Sequence, residues 1–417
     1  MAREMKDSGV EWIGEIPREW RTLPLGNCFL ERIEKVSDKE WEPLSVTKKG
    51  IFKQLENVAK SDAHDSRKKV CKGDFVINSR SDRKQSCGLS DFDGSVSLIN
   101  IVLKNIFYKA EYTKYLLKND GFAEEFYRWG SGIVADLWST KYSKMKKIIL
   151  PVPSLEEQEK IANYLDKKVS DIDLIIEKTK ATIEDYKKYK QSIITEAVTK
   201  GINPNVEMKD SGIKWIGEIP KHWKIFPIKY ILKWKSEKNY PNEMVLSLYR
   251  DYGVIPKDSR DDNHNVTSED TASYKFVEVG DFVINKMKAW QGSMAVSDYQ
   301  GIVSPAYHVC SFKTNELNKK YFHYLLRNQL YLPEFRRLST GLRIGQWDLG
   351  FEDFKQLPYL FPLLEEQNQI VEYIDKKISE IDTLITKKEA LIAELEEYKK
   401  SLIYECVTGK KEVNENV

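Results

Sequence analysis

The chain has 417 residues, of which 41% are hydrophobic and 12% aromatic, and its 66 Lys plus Arg against 64 Asp plus Glu give a net charge of +2. This length predicts two to four domains with cores of their own, and the short apolar runs argue against a transmembrane helix. The N-terminus lacks the form of a signal peptide, and five scattered cysteines argue against a disulfide framework, so we expect a cytoplasmic protein. The spacing of His64, Cys71 and Cys87 matches no metal site.

The first element along the chain is a segment that occurs twice. Residues 5–20 read MKDSGVEWIGEIPREW and residues 208–223 read MKDSGIKWIGEIPKHW, with twelve of sixteen positions identical at an offset of 203. Repetition at this distance predicts two tandem half-units of about 200 residues. Gly14 and Pro17 argue against a long helix here, and the Trp and Ile side chains predict an apolar clasp, most simply a structural loop packed on a sheet or helix.

A second repeated element predicts a buried strand in each half. Residues 72–78 read KGDFVIN and residues 279–285 read VGDFVIN, a Gly-Asp turn followed by Phe-Val-Ile. The residues that follow differ: SRSDRKQSCGLSDFDG in the first copy and KMKAWQGSMAVSDYQG in the second. A repeated framework with differing loops is how one scaffold carries two specificities.

The differing loops carry side chains suited to nucleic acid. Arg and Gln make bidentate bonds to guanine and adenine edges, and Lys suits phosphate. Between Thr47 and Ser86 there are eleven Lys plus Arg and five Asp plus Glu, a local net charge of +6. A solvated, lysine-rich face would account for the same charge. A strand upstream of each loop, LSVTKKG at 44–50 and LSLYRDYG at 246–253, ends in a polar tip that also differs.

A third pair of loops precedes the last strand of each half. Residues 130–133 read GSGI and residues 340–343 read TGLR. Small residues let a backbone approach a ligand, although tight turns alone would also explain the glycines. The candidate DNA-binding residues from all these loops are Thr47, Lys48, Lys49, Ser79, Arg80, Arg83, Lys84, Gln85, Ser131, Ile133, Tyr249, Arg250, Lys286, Lys288, Trp290, Gln291, Arg343 and Gln346.

Each half ends in a long helical pattern, at 154–201 and again at 363–410. Hydrophobic positions recur every seven residues in two interleaved series, which predicts a coiled-coil seam. Ser154 with Glu157 fits a capping box, and Gly201 suits the position after the helix. The two helices could pair with each other or with another protein; the high effective concentration within one chain favours the intramolecular pair. The predicted seam comprises Leu165, Val169, Ile172, Ile176, Ile183, Tyr186, Ile193, Ile374, Ile378, Ile381, Ile385, Ile392, Leu395 and Leu402.

The order of these motifs resembles the specificity subunit of a type I restriction-modification enzyme. The resemblance rests on two copies of DSGxxWIGEIPxxW, GDFVIN, the SG or TG loop, and PxPSLEEQ, which is FPLLEEQ in the second copy, and it covers Met5 to Lys410. The second copy departs by having Leu363 in place of the capping Ser. The predicted domains are a recognition domain at 1–152, a spacer helix at 153–201, a second recognition domain at 202–361, a second helix at 362–410 and a tail at 411–417.

The resemblance implies mixed α/β target-recognition domains, an antiparallel coiled coil with pseudo-twofold symmetry, and a non-catalytic subunit that reads a bipartite, asymmetric DNA target. It also implies two methyltransferase subunits and further restriction subunits as partners. S-adenosylmethionine, ATP and Mg are expected on those partners only. The chain itself has no P-loop pattern, and we assign it no catalytic residue, cofactor or metal. Three alternatives remain: a specificity module for a related phage-defence methyltransferase, a coiled-coil scaffold without sequence recognition, and a fused nuclease or methyltransferase.

Overall fold

The computed structural model describes residues 3–54, 66–132, 138–250, 252–260, 271–341 and 347–413. The chain divides into two compact units, unit 1 with Met1–Thr179 and Glu389–Val417, and unit 2 with Lys180–Lys388. These units cut across the predicted domain boundaries, because each long helix contributes one segment to each unit. In the described ranges, no helix is both long and apolar enough to span a membrane.

The globular part of unit 1 consists of short antiparallel strands and short helices. The elements are β1 (Met5–Asp7), β2 (Glu15–Pro17), β3 (Arg21–Pro24), β4 (Phe29–Glu31), β5 (Lys35–Val36), β6 (Leu44–Thr47), β7 (Gly50–Lys53), β8 (Arg67–Val70), β9 (Phe75–Asn78), β10 (Cys87–Leu89), β11 (Gly94–Val96), β12 (Asn100–Asn105), α1 (Ala110–Leu116), α2 (Asp120–Arg128), α3 (Tyr142–Met145) and β13 (Ile149–Val152). The main sheet has the order β10-β9-β12-β4, and smaller sheets are β11-β8-β5, β13-β3, β1-β2 and β6-β7.

The two long helices are α4 (Leu155–Lys200) and α8 (Leu364–Val407). In unit 1 the segment of α4 up to Thr179 packs on the last part of α8, and Asp173 pairs with Lys399 at 2.5 Å. In unit 2 the later part of α4 packs on the first part of α8, and Lys190 pairs with Asp382 at 2.7 Å. Within these segments the buried seam positions are Leu165, Ile172, Ile176, Ile183, Ile193, Ile374, Ile381, Ile385, Ile392 and Leu402, while Val169, Tyr186, Ile378 and Leu395 are partly exposed.

The globular part of unit 2 follows nearly the same plan as that of unit 1. The elements are β14 (Met208–Asp210), β15 (Glu218–Pro220), β16 (Lys224–Pro227), β17 (Leu232–Lys235), β18 (Leu246–Tyr249), β19 (Gly253–Pro256), β20 (Lys275–Val277), β21 (Phe282–Asn285), β22 (Met294–Val296), β23 (Gly301–Val303), β24 (Tyr307–Phe312), α5 (Lys319–Leu326), α6 (Leu332–Leu338), β25 (Ser339–Thr340), β26 (Asp348–Leu349), α7 (Phe351–Phe354) and β27 (Pro358–Phe361). The main sheet has the order β17-β24-β21-β22, accompanied by β20-β23, β16-β27, β14-β15, β18-β19 and β25-β26.

The repeated GDFVIN sequence forms the central strand β9 in unit 1 and β21 in unit 2, and its aspartate closes the turn before the strand. Asp74 Oδ2 accepts a hydrogen bond from Cys71 N at 2.8 Å and pairs with Arg32 at 2.7 Å. Asp281 Oδ2 accepts from Glu278 N at 2.9 Å and pairs with Lys235 at 3.0 Å. Phe75 and Phe282 are fully buried beyond these turns. The aspartate and phenylalanine of the motif therefore have structural roles.

The first turn of each long helix is bonded to the Trp-rich clasp of its own unit. Trp20 Nε1 donates to Glu157 Oε2 at 2.7 Å, and Trp223 Nε1 donates to Glu366 Oε1 at 3.0 Å. Glu157 N donates to Ser154 Oγ at 3.2 Å, but the Glu157 side chain bonds to the clasp rather than back to Ser154. The predicted capping box is therefore only half formed, because the tryptophan offers the carboxylate a buried donor.

The glutamine that follows each of these glutamates is fully buried and holds two backbone segments. Gln158 accepts from Lys109 N at 2.8 Å and donates to Pro153 O at 3.1 Å. Gln367 accepts from Asn318 N at 2.9 Å and donates to Pro362 O at 2.9 Å. The repeated EEQ sequence is thus the joint between each helix and the globular part that precedes it.

Each unit also holds the end of a long helix. In unit 1 the fully buried Tyr112 donates its hydroxyl to Val407 O at 3.0 Å, and in unit 2 Tyr321 donates to Val198 O at 3.2 Å. The glycine after each helix has positive φ, +75° at both Gly201 and Gly409. A Cβ on Gly409 would overlap the ring of Pro17. The clasp in unit 1 therefore contacts the start of α4 and the end of α8.

We predict that Gly409→Ala destabilises unit 1. The left-handed backbone costs an alanine about 1–2 kcal/mol, and the contact with Pro17 adds about 1–3 kcal/mol for overpacking. The measurement is the denaturant midpoint of unfolding. Gly9→Ala is the matched control, because Gly9 also has positive φ, +71°, and no atom lies within 4 Å of the position that its Cβ would take. Equal midpoints for the two variants would contradict the close packing of the helix end on the clasp.

Candidate nucleic-acid interface

The loops after β9 and β21 share one backbone frame. Asn78 N donates to Ser86 O at 2.9 Å, and Asn285 N donates to Ser293 O at 3.0 Å, so both loops close over the same number of residues. Each contains a 3-10 turn, Ser81–Arg83 in the first and Ala289–Gln291 in the second. These turns are offset by one residue between the copies, but each loop has a residue with positive φ directly before its closing serine, Gln85 at +60° and Gly292 at +81°. The loops thus present different side chains from equivalent backbone positions.

Three of the predicted DNA-binding side chains in the first loop are bonded to carboxylates. Arg80 makes two hydrogen bonds to Asp82, at 2.9 and 3.1 Å. Lys84 Nζ lies 3.1 Å from Glu124 Oε1, and Gln85 Nε2 donates to Asp120. Gln85 occupies a left-handed conformation that is uncommon for a residue with a side chain, and its bond to Asp120 helps to hold it there.

Other predicted residues remain open to solvent at a cavity of about 580 Å³. The Arg83 side chain is 67% exposed and 3.7 Å from Asp82, and Lys48 is exposed at the tip of the β6–β7 hairpin. Thr47 also lines the cavity, but its hydroxyl donates to Gly50 O at 3.0 Å and accepts from Lys49 N at 3.1 Å, so it shapes the hairpin turn.

The sequence prediction missed the polar residues that form the rest of this cavity. They come from different strands and loops, and no local motif joins them; they are Ser45, Gln54, Arg67, Asn78, Asp82, Ser86, Ser97 and Asn100. One signal was present, because the Asn that ends GDFVIN recurs in both copies. Asn78 pairs in register with Asn100 on β12, which places both at the carboxyl end of β9.

Arg67 is notable among these residues because it is a buried cation. It is 8% exposed, and its guanidinium donates to Ser95 Oγ at 2.8 Å and to Ser95 O at 3.1 Å. Burial lowers the pKa of Arg67 below its ordinary value, and the charge of Asp38 only partly opposes this. In the described part of the chain no carboxylate forms an ion pair with it. Among the described residues, the cavity therefore contains a positive charge that no ion pair neutralises.

The corresponding loop of unit 2 combines two lysines, Lys286 and Lys288, with an aromatic side chain, Trp290. Trp290 packs edge-on against Trp347, with ring centroids 5.4 Å apart, and the Arg336 guanidinium lies 5.7 Å from the Trp290 ring. Trp290 Nε1 is buried without a hydrogen-bond partner among the described residues. Near the β18–β19 turn, Arg260 lies 4.4 Å from the ring of Tyr252 and 5.7 Å from that of Tyr249.

Beneath this loop the charged groups are also different. Lys286 pairs with Asp348 at 3.3 Å, and Lys275 donates to Tyr307 O at 2.6 Å. Burial lowers the pKa of His308, so this ring is neutral at pH 7, and its Nε2 lies 3.2 Å from Leu349 O. Unit 2 thus offers a buried lysine, a neutral histidine and aromatic groups where unit 1 offers a buried arginine.

The remaining predicted residues are placed as follows. Ser79 is buried, Ser131 is exposed and bridges to Ser139, and Lys49, Arg250, Lys288 and Gln291 are exposed. Ile133, Arg343 and Gln346 lie outside the described residues. Across the described ranges, no group of three His, Cys, Asp or Glu residues is arranged to hold a metal ion.

Comparison with known proteins gives consistent matches. Residues 220–396 match the family described as "Type I restriction modification DNA specificity domain". The chain is 26% identical over 284 residues to the type I restriction enzyme MjaVIII specificity subunit of Methanocaldococcus jannaschii, covering 64% of this chain and 62% of that one. It thus spans less than two thirds of that relative. It is 23% identical to the putative MjaX specificity subunit of the same organism, over 95% of both.

Solved structures show the same fold. The HsdS subunit of Thermoanaerobacter tengcongensis superposes with a TM-score of 0.55 at 17% identity, covering 95% of this chain and 98% of that one. A chain from a study of complex assembly and conformational transition of the type I R-M system gives a TM-score of 0.70 at 16% identity, over 95% of this chain and 99% of that one. The mixed α/β fold with long helices is therefore shared along nearly the whole chain.

We predict that Asp82→Asn strengthens the salt-dependent binding of DNA by this surface. The substitution removes the carboxylate that bonds Arg80 and lies 3.7 Å from Arg83, so at least one more cation becomes available for phosphate, and the slope of log K against log salt should steepen by about one or more. Duplex binding titrated across a range of salt concentrations measures this slope. Asp91→Asn, the same change of charge at an exposed site just after β10, should leave the slope nearly unchanged. Identical slopes for the two variants would remove Arg80 from the interface.

Proposed function

We propose that the chain is a member of the type I restriction-modification DNA specificity family and that it reads a bipartite, asymmetric DNA target. Each globular part acts as a recognition domain for one half of the target. The observation that carries the proposal is the pair of loops with one backbone frame and different chemistry. The first has Arg83 and Lys48 around a cavity with a buried arginine, and the second has the Trp290–Trp347 pair. Two recognition loops with different side chains on the same backbone frame imply two half-sites of different sequence.

The long helices act in this proposal as a spacer between the half-sites, as an intramolecular antiparallel coiled coil with pseudo-twofold symmetry. Support comes from the buried seam positions and from the ion pairs Asp173–Lys399 and Lys190–Asp382, each formed inside one unit. DNA half-sites read from one face of a duplex lie about one helical turn apart, or multiples of it. A stiff helix pair would fix that distance.

Methyltransferase subunits are the proposed partners of the helices, two per chain, with restriction subunits joining the larger complex. Large apolar side chains are exposed on the helix segments of both units, and exposed apolar surface marks protein interfaces. In unit 1 they include Leu174, Ile175, Leu391 and Tyr398, and in unit 2 Tyr189, Tyr373 and Leu384. The chain itself is proposed to be non-catalytic, with base modification and cofactor binding on its partners.

The first test removes recognition chemistry one domain at a time. Lys48→Ala with Arg83→Ala should relax one half of the modified motif and leave the other half unchanged, because the two loops read separate half-sites. Lys288→Ala with Gln291→Ala is the reciprocal variant and should affect only the other half. The measurement is long-read mapping of modified bases in cells that express the chain with its methyltransferase subunit. If either pair altered both halves, the one-domain, one-half assignment would be wrong.

The second test changes the spacer. One heptad inserted after Thr179 and another after Lys388 should preserve the seam and lengthen both helices by about 10 Å, since each residue adds about 1.5 Å. The gap between the half-sites should then grow by about three base pairs, at about 3.4 Å per base pair. A heptad inserted after Thr179 alone should impair modification by mismatching the paired helices. An unchanged gap in the double insertion would contradict the spacer role.

A further inference from the structure

We propose that Arg67 is a specificity-determining residue of the first recognition domain, and that it reads guanine in a G·C pair together with Asn100. The inference rests on the proposed function, which it makes specific for one base pair. It concerns the cavity of about 580 Å³ at the carboxyl end of β9, which both residues line.

Arg67 is held in place by two hydrogen bonds to Ser95. Its Nε donates to Ser95 Oγ and its Nη2 to Ser95 O. Ser95 is fully buried, and its hydroxyl donates to Trp41 O at 2.9 Å while its amide donates to Glu42 O at 2.9 Å. The neighbouring Gly94 is so close to the next segment that a Cβ would lie 2.5 Å from Glu42 O. The anchor is therefore rigid, as precise base reading requires.

The Arg67 guanidinium has N–H donors beyond those that bond Ser95. Arginine has five N–H bonds, and the two contacts with Ser95 use one on Nε and one on Nη2. The two on Nη1 and the second on Nη2 have no acceptor among the described residues. These lie at the end of the fork, in the arrangement that bonds O6 and N7 of guanine. A buried charge without an ion-pair partner costs free energy, which a ligand with two acceptors would offset.

Asn100 places a hydrogen-bond acceptor in the same cavity as Arg67. Asn100 is 5% exposed, its Nδ2 donates to Ser97 O at 3.1 Å, and its Oδ1 is buried without a partner among the described residues. An unpaired buried carbonyl costs about 1–3 kcal/mol. In the major groove a G·C pair presents two acceptors on guanine next to the N4 amino donor of cytosine. Arg67 and Asn100 supply the complementary set, two donors and one acceptor.

The surroundings of Arg67 differ from those of the other four cations considered in the domain. Arg80 and Lys84 are bonded to carboxylates, and Arg83 and Lys48 are exposed to solvent. Arg67 alone among these five is buried and anchored by a neutral residue. The equivalent position of unit 2, by the offset of the FVIN strands, is Tyr274, which has no comparable fork of donors. The second domain is therefore not expected to read guanine in this way.

The test selects duplexes from a random-sequence DNA pool with the chain bound to its methyltransferase subunits. The wild type should enrich a motif whose first-domain half, identified by the Lys48 and Arg83 variant, contains a guanine. Arg67→Met keeps the length of the side chain and should lower the preference for that guanine by about 5- to 150-fold, the discrimination of a bidentate contact. Arg67→Lys keeps the charge and should lose most of the same preference. Ser95→Ala should weaken it at the same position.

The outcomes distinguish this inference from the function beneath it. A wild type that enriches no motif would overturn the proposed function. A wild-type motif that Arg67→Met leaves unchanged would overturn only the role of Arg67. Weaker binding to all sequences, with the salt slope reduced by about one, would make Arg67 a phosphate contact instead. Loss of both halves would make it a structural residue, since the second-domain half reports that the chain is folded.

Discussion

A buried hydrogen bond between a tryptophan and the first turn of a long helix fixes how each globular part meets its helix. Trp20 bonds Glu157 in unit 1, and Trp223 bonds Glu366 in unit 2. Both indoles are almost fully buried, so an unpaired N–H there would cost the desolvation of the donor. The adjacent glutamines, which bridge a loop amide and a proline carbonyl, add the second point that fixes orientation. The loops of each globular part are therefore joined to the helix through several hydrogen bonds rather than through a flexible linker.

The same joint explains why the repeats are so similar in some stretches and so different in others. The clasp, the EEQ sequence and the GDFVIN sequence each bury polar groups that need a specific partner. Changing one of these residues would leave a hydrogen-bond donor or acceptor unpaired. Asp74 with Arg32 and Asp281 with Lys235 show that the partner cation is free to vary while the carboxylate stays. The loops after β9 and β21 have only to close their backbone frame, and their side chains are free to diverge. The two copies accordingly differ most where packing makes the fewest demands.

Carboxylates around the first loop change how its positive charge should be understood. A segment with a net charge of +6 suggests strong, indiscriminate attraction to phosphate. Three carboxylates, those of Asp82, Glu124 and Asp120, instead bond Arg80, Lys84 and Gln85. Each neutralised cation releases fewer counterions on binding, which lowers the affinity for any sequence. The donors and the acceptor that Arg67 and Asn100 leave unused are those whose bonds would depend on the identity of a base.

The sequence by itself determined the two-fold repetition, the long helices, the buried FVIN strands and the loops at their ends, because each depends on local periodicity or on a motif present twice. It also identified Arg83 and Lys48 among the candidate cations of the site. Only the tertiary structure decided the rest of the site. Antiparallel pairing of β9 and β12 brings Asn78 and Asn100 together, and Arg67 reaches the same cavity from β8 of a second sheet. Whether a loop arginine is free or bound to a carboxylate likewise depends on contacts that side-chain packing decides. A buried charge becomes significant only when the surrounding partners are known, and those partners are set by packing rather than by neighbours in the chain.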